Sequence, residues 1–186
     1  MPKLTRFFFL LTLLGFSTFH ATPIRAGSLL QVGDILPGVH GEFLSGRSAT
    51  LPDSARGRVA LLALGFTRSS QDAVEAWSNR FRKDFRADSS VTFYEIPVIG
   101  GFARLARPFI NSGMRRGTPP GLHENVITVY GNAGEWKERL GYSDGLFAYL
   151  LLLDPSGRVA WRHSGLFDET QYARLAEVTR ALRQAP

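Results

Sequence analysis

Apolar residues fall along this chain in two kinds of pattern. Val59 to Phe66 is apolar at every position except Gly65, and Leu146 to Leu153 is apolar throughout. Runs of that length predict strands covered on both faces, as the centre of a parallel or mixed sheet requires. From Ser70 to Phe85, Val74, Trp77, Phe81 and Phe85 recur every three or four residues, with Gln71, Asp72, Glu75, Arg80, Arg82 and Lys83 between them. That spacing lays one apolar stripe along a helix, which makes Trp77 and Phe81 core residues rather than a binding stripe. Ser69 or Ser70 is suited to cap the helix, because a serine hydroxyl can accept a hydrogen bond from a free N–H of the first turn. Asp72 and Glu75 suit its positive end.

The other segments are shorter. Residues 28 to 58 are punctuated by Gly33, Pro37, Gly41, Gly46, Pro52 and Gly57, and read as a strand-and-turn lead-in. Val91 to Val98, rich in β-branched and aromatic residues, predicts a strand ended by Gly100-Gly101, and a short helix is expected over Phe102 to Asn111. Gly113 to His123 holds Arg115-Arg116 among three glycines and two prolines, a composition that predicts an irregular basic loop. Val126 to Tyr130 reads as a strand and Ala133 to Leu140 as a helix stopped by Gly141. After Leu153, Asp154-Pro155-Ser156-Gly157 supplies turn residues, and Val159 to Arg162 returns as the second arm of a hairpin. Asp168 with Gln171 three residues on forms a capping box for a last helix, whose inner face is Tyr172, Leu175, Val178 and Leu182.

The resulting order is β-α-β-α, an inserted β-α unit, then a β-hairpin and a closing helix. Two buried parallel strands joined through helices and finished by an antiparallel hairpin have the connectivity of the thioredoxin fold: an α/β architecture with a central mixed sheet flanked by helices.

At 186 residues and 44% hydrophobic content, the chain suits one domain. Its N-terminus changes that picture. Lys3 and Arg6, an unbroken apolar run from Phe7 to Phe16 and then small residues have the three-part layout of a secretory signal. The run is too short for the ~20 residues of a spanning helix. Ile24-Arg25-Ala26 supplies a cleavage site, so residues 1–26 are expected to be a signal peptide and 27–186 the domain of an exported, periplasmic or secreted protein without a stable transmembrane anchor. The alternative is mitochondrial import, since residues 1–26 contain no acid; such targeting peptides are, however, amphipathic rather than uniformly apolar.

The net charge of +6 falls to +3 when Lys3, Arg6 and Arg25 leave, and no basic stripe interleaved with aromatics remains, so nucleic acid is not an expected partner. The chain has no cysteine. Disulfides, sulfur-ligated metals, lipid-anchored cysteine, and thioredoxin-type or peroxidatic thiol chemistry are excluded together.

Several motifs extend the likeness beyond element order. Gly33-Asp34-Ile35-Leu36-Pro37 resembles the Gly-Asp-x-x-Pro opening of the thiol-antioxidant and peroxiredoxin-type branch of thioredoxin-like proteins. Gly65-Phe66-Thr67-Arg68-Ser69 resembles the Gly-Phe-Thr-x-Cys segment of Sco-type copper chaperones, with Ser69 and Ala73 where the two cysteines would stand. Residues 151–159 are similar to the strand-turn-strand that closes these folds, whereas the usual cis-proline has no counterpart in Asp144-Gly145-Leu146-Phe147. Val74 through Trp77 with Phe81 and Phe85, Phe93-Tyr94-Glu95-Ile96, and Gly157 to Arg162 before Gly165 look most like the mitochondrial ATP-synthase assembly-factor family. That resemblance implies a chaperone-like role toward membrane-sector subunits, with a protein partner and no cofactor.

Candidate chemistry is sparse. Ser69 lacks the accessible thiolate of a cysteine and would need an adjacent base, so it reads as a helix cap. Gly141-Tyr142-Ser143-Asp144-Gly145 matches the Gly-x-Ser-x-Gly elbow by letter, but a helix precedes it and a strand follows, the reverse of what the elbow requires. His40, His123 and His163 are too far apart in sequence for a local metal motif. Catalytic and metal-ligating residues are therefore expected to be none. The expected binding residues are Thr67, Arg68 and Ser69 at the helix start, with Arg115 and Arg116 as two guanidinium forks for an anionic group. The functional expectation is a redox-inactive binding or assembly protein. The alternatives are an exported enzyme using Ser69 or Ser143 with a histidine brought in by the fold, or a ligand carrier.

Overall fold

The computed structural model describes residues 28–184. The expected signal segment, residues 1–26, lies outside them. The strands are β1 (Val39–Phe43), β2 (Ser48–Leu51), β3 (Val59–Gly65), β4 (Val91–Ile99), β5 (Ile127–Tyr130), β6 (Ala148–Leu153) and β7 (Val159–Gly165), and the helices are α1 (Gln71–Phe85), α2 (Arg107–Gly117), α3 (Ala133–Leu140) and α4 (Glu169–Gln184). They form one mixed sheet of order β2-β1-β5-β4-β3-β6-β7. β3, β4 and β5 run parallel; β1 and β6 are antiparallel to the strands beside them in that block.

The two continuously apolar runs are the centre of the molecule. β3 and β6 pair from Ala60–Leu153 to Leu64–Tyr149 and are buried at every position. Alternation across the pleat explains why no polar residue is tolerated there. Ala60, Leu62 and Leu64 with Tyr149, Leu151 and Leu153 enter one core, completed by the lead-in residues and by Trp136 and Leu140 of α3. Val59, Leu61 and Ala63 with Ala148, Leu150 and Leu152 enter the other, under α1 and α4. There Trp77, Phe81, Tyr172 and Leu175 are almost wholly buried, each contributing about 1.5–3 kcal/mol of apolar burial. The two helices are also tied directly: the Tyr172 hydroxyl donates to Asp84 at 2.8 Å, and Arg80, which pairs with Asp84 along α1, reaches Glu169 of α4 at 3.3 Å. Burial and that carboxylate together hold the Tyr172 phenol above its ordinary pKa.

Local signals account for the closing elements. Asp154 Oδ1 accepts hydrogen bonds from the Ser156 and Arg158 N–H groups, and Gly157 adopts φ +88°, so the β6–β7 hairpin turns where expected. Asp168 Oδ1 accepts from Gln171 N at 2.7 Å and caps α4. Gly141, at φ +68°, ends α3.

Two expectations need correction. Residues 113–123 are not an irregular loop: α2 continues to Gly117, and a 3-10 turn covers Pro120–Asn125. One interior glycine costs a helix about 1 kcal/mol, too little to break it. Both prolines come after α2 has ended, where no further intrahelical N–H is needed. The helix expected over Phe102 to Asn111 is instead a 3-10 turn, Gly101–Ala106, leading into α2.

Candidate functional site

At the end of β3 the sheet hands the chain to α1 through a tight turn. A side chain on Gly65 would lie 2.7 Å from Ser70 Oγ and 3.3 Å from Val74, so glycine lets the first turn of α1 sit on the strand end. Thr67 is extended (φ −139°, ψ 164°), and its Oγ1 accepts from Ser70 N at 3.2 Å. The cap is therefore Thr67, not Ser69 or Ser70. The backbone passes through a 3-10 turn at Arg68–Ser70 first, so the extended residue that capping needs comes earlier. Ser70 is buried and its hydroxyl donates back to Thr67 O at 2.8 Å. Of the two positions aligned with thiols, Ser69 is exposed and Ala73 buried.

Facing this turn is the segment before β6. Thr67 Oγ1 donates to Gly145 O at 2.6 Å, and a side chain on Gly145 would approach Thr67 Cγ2 at 3.2 Å. Tyr149 organises the segment: its hydroxyl accepts from Ser143 N and Asp144 N at 2.9 and 3.0 Å. Phe66 stands edge-on to Tyr142 and Tyr149, both at 5.4 Å, and Lys137 Nζ lies 4.1 Å from the Tyr142 ring centroid. Gly141 to Gly145 is thus a linker held by backbone contacts, following α3 and preceding β6.

Two residues that periodicity did not single out complete this end of the sheet. Leu146 is 50% and Leu166 56% exposed. Ala148 pairs with Gly165, so both leucines flank the same end of the β6–β7 hairpin, on the side where Gly145 meets Thr67. Arg68, Ser69, Leu146 and Leu166 are all exposed at this end of the sheet, where they offer apolar, hydroxyl and cationic groups.

Arg115 and Arg116 belong elsewhere and do not act as a pair. Arg115 Nε donates to Leu44 O and its guanidinium lies 3.6 Å from Glu42 of β1, whereas Arg116 donates to Ser112 Oγ at 2.8 Å on α2 itself. β5 and β4 separate β1 from β3. Their positions at the end of a helix, one turned to the sheet and one away, are what a loop assignment could not reveal.

The histidines make other contacts. His40 Nδ1 lies 3.3 Å from Thr50 Oγ1 and His123 Nε2 3.0 Å from Thr118 O. His163 packs 5.5 Å from the Trp77 ring on the edge strand β7, where burial lowers its pKa and Asp168 opposes the shift. Among the described residues no histidine hydrogen-bonds to Ser69 or Ser143, and no cluster of three His, Asp or Glu residues is placed to hold a metal ion. Burial raises the pKa of Glu95 on β4; the neighbouring Ser78 opposes the rise but makes no hydrogen bond of normal geometry, Glu75 adds to it and Arg82 opposes it.

The fold recurs in solved structures. A thioredoxin domain of a thiol-disulfide oxidoreductase from Bacteroides vulgatus matches with a TM-score of 0.52 at 17% identity, over 81% of this chain and 99% of that one. BsSco, a member of the Sco family of cytochrome c oxidase assembly proteins, matches with a TM-score of 0.59 at 16% identity, over 84% and 99%. A thiol peroxidase from Chromobacterium violaceum matches with a TM-score of 0.54 at 15% identity, over 85% and 91%. The fold is thioredoxin-like, carried by a chain without cysteine. No curated protein matches the sequence significantly. Residues 33–182 match the model of the ATP10 protein family, and the chain belongs to that family. Among the described residues no helix is long and apolar enough to cross a membrane.

Proposed function

We propose that this chain is a redox-inactive assembly factor that binds a subunit of a membrane complex, ATP synthase being the one its family points to. The observation that carries the reading is the family match over residues 33–182. What the site adds is a reason why thiol exchange is not the mechanism. The helix start bears Ser69 and Ala73, and Thr67, bonded to both Ser70 N and Gly145 O, fixes the turn. A serine there has no base to activate it, so the surface binds rather than reacts. Arg68, Ser69, Leu146 and Leu166 are its contact residues, an exposed apolar pair with a polar rim of the kind that seats a protein segment. Residues 1–26 direct the chain across a membrane, and the domain works in the exported compartment, or inside the mitochondrion if the segment is an import signal.

The test is affinity purification of the full chain from its native cells after crosslinking, comparing wild type with Leu146→Asp/Leu166→Asp. Both leucines are exposed, so the substitutions leave the core intact. Subunits of one membrane complex enriched with wild type and lost with the variant support the reading. Equal recovery with both, or no enrichment with either, overturns it.

A further inference from the structure

Helix α2 meets the sheet largely through polar side chains and leaves its one aromatic outside. Arg107, Asn111 and Arg115, four residues apart, form the face turned to the body. Arg107 pairs with Glu42 and lies 5.0 Å from the Tyr130 ring centroid, Asn111 accepts from the Tyr130 hydroxyl at 2.7 Å, and Arg115 reaches Leu44 O. Asn111 is the helix's one buried residue. Ile110 and Met114 are half-buried, but the largest apolar side chain of the helix goes outward: Phe109 is 77% exposed, and Leu105, in the 3-10 turn before α2, is 75% exposed. At 100° per residue, Phe109 lies opposite Asn111, while Arg116 falls on Phe109's side with Ser112 and Gly113 between them.

The charge around this face has one sign. From Leu105 to His123 the chain carries Arg107, Arg115 and Arg116 and not one Asp or Glu; Arg116 stands on the outward side, and Arg107 and Arg115, though turned to the body, stay partly exposed. Glu42 offsets only one of these cations. Exposed Leu and Phe on a basic, acid-free segment have the composition that lies in the headgroup layer of an anionic bilayer, the apolar side chains below the phosphates and the Arg116 guanidinium among them. An acidic protein surface would answer the charge, but it would not call for two large apolar side chains standing free in water.

We infer that α2 and the turn before it, through Leu105, Phe109 and Arg116, dock the protein on an anionic lipid surface. The contact is weak and reversible, since two apolar anchors and about two net charges give only marginal partitioning. It would hold the domain beside the membrane in which a client subunit sits.

The absence of native cysteine allows a clean test on the full chain. Gly113 lies on the outward face, where a side chain would meet nothing within 4 Å, so Gly113→Cys accepts an environment-sensitive fluorophore. A control label goes on the exposed Glu177 of α4, as Glu177→Cys. Vesicles of phosphatidylcholine alone are compared with vesicles carrying about a quarter phosphatidylglycerol. The expected result is a blue shift at position 113 on anionic vesicles only, reversed by salt, with no shift at 177. Added Phe109→Ala should weaken the vesicle affinity read at 113 about tenfold. No shift at 113, an equal shift on neutral vesicles, or a shift unchanged by Phe109→Ala overturns the inference. So does a label at 113 that responds to a purified client subunit in detergent but not to lipid.

Discussion

Replacing Thr67 by valine removes one oxygen and almost no volume, and so isolates the hydrogen bonding that holds the β3–α1 turn. Valine accepts the extended backbone at this position without strain, being β-branched. Two bonds are lost: the cap accepted from Ser70 N at 3.2 Å and the donation to Gly145 O at 2.6 Å. A lost Thr cap costs about 1 kcal/mol, and a net hydrogen bond about 0.5–1.5 kcal/mol. Thr67 is exposed, so water recovers part of both and the sum should fall at about 1–2 kcal/mol. For a domain of this size that lowers Tm by about 3–6 °C. Thr67→Ser keeps the hydroxyl and should stay within about 0.5 kcal/mol of wild type. Urea titrations followed by circular dichroism measure both variants. If valine costs under about 0.3 kcal/mol, or serine costs as much as valine, the turn is held by shape and not by the hydroxyl.

Other consequences are open to direct measurement. Because burial raises the folded-state pKa of Glu95 above its ordinary value of 4.5, the folded protein holds more protons than the unfolded chain between those two values. Stability therefore falls as pH rises through that window, and Glu95→Gln should raise the urea midpoint at pH 7 and flatten the fall; a variant less stable than wild type at pH 7 would contradict this. Arg115→Ala should speed amide exchange in α2 about tenfold, since it removes the tie to Leu44 O and Glu42, while Arg116→Ala should change stability by under about 0.5 kcal/mol. Ser69→Cys should give an alkylatable thiol whose pKa lies below the ordinary ~8.5, because it sits exposed at a helix N-terminus; a thiol titrating at or above that value would refute the geometry of the helix start.

The sheet and its two flanking helices were legible because each is written in apolar spacing alone. β3 and β6 are continuous runs, α1 carries its stripe at 74, 77, 81 and 85, and the turn residues at 154–157 and the cap at Asp168 act on their immediate neighbours. Where long-range contacts decide, local reading failed. The helical state of residues 113–117 depends on Glu42 and Leu44, some seventy positions away, which hold a segment whose own glycine argues against it. The capping residue shifted from Ser69 to Thr67 because a 3-10 turn intervenes, and no propensity rule announces one. Of the expected binding residues, Thr67, Arg68 and Ser69 are consecutive and exposed after β3, whereas Arg115 and Arg116 lie apart from them on α2. Leu146 was hidden because it opens an apolar run whose strand residues are all buried, and Leu166 because it stands just past the half-buried edge strand β7; only the end of the hairpin exposes them.

Service to the assembly of a membrane complex by binding, without thiol chemistry, can be read from the amount of assembled ATP synthase. It is resolved on native gels from native cells deprived of this protein and then supplied with wild type or with Leu146→Asp/Leu166→Asp. Assembled complex should fall on depletion, return with the wild-type chain and fail to return with the variant; assembly unaffected by depletion, or restored equally by both chains, would contradict a binding role for this surface.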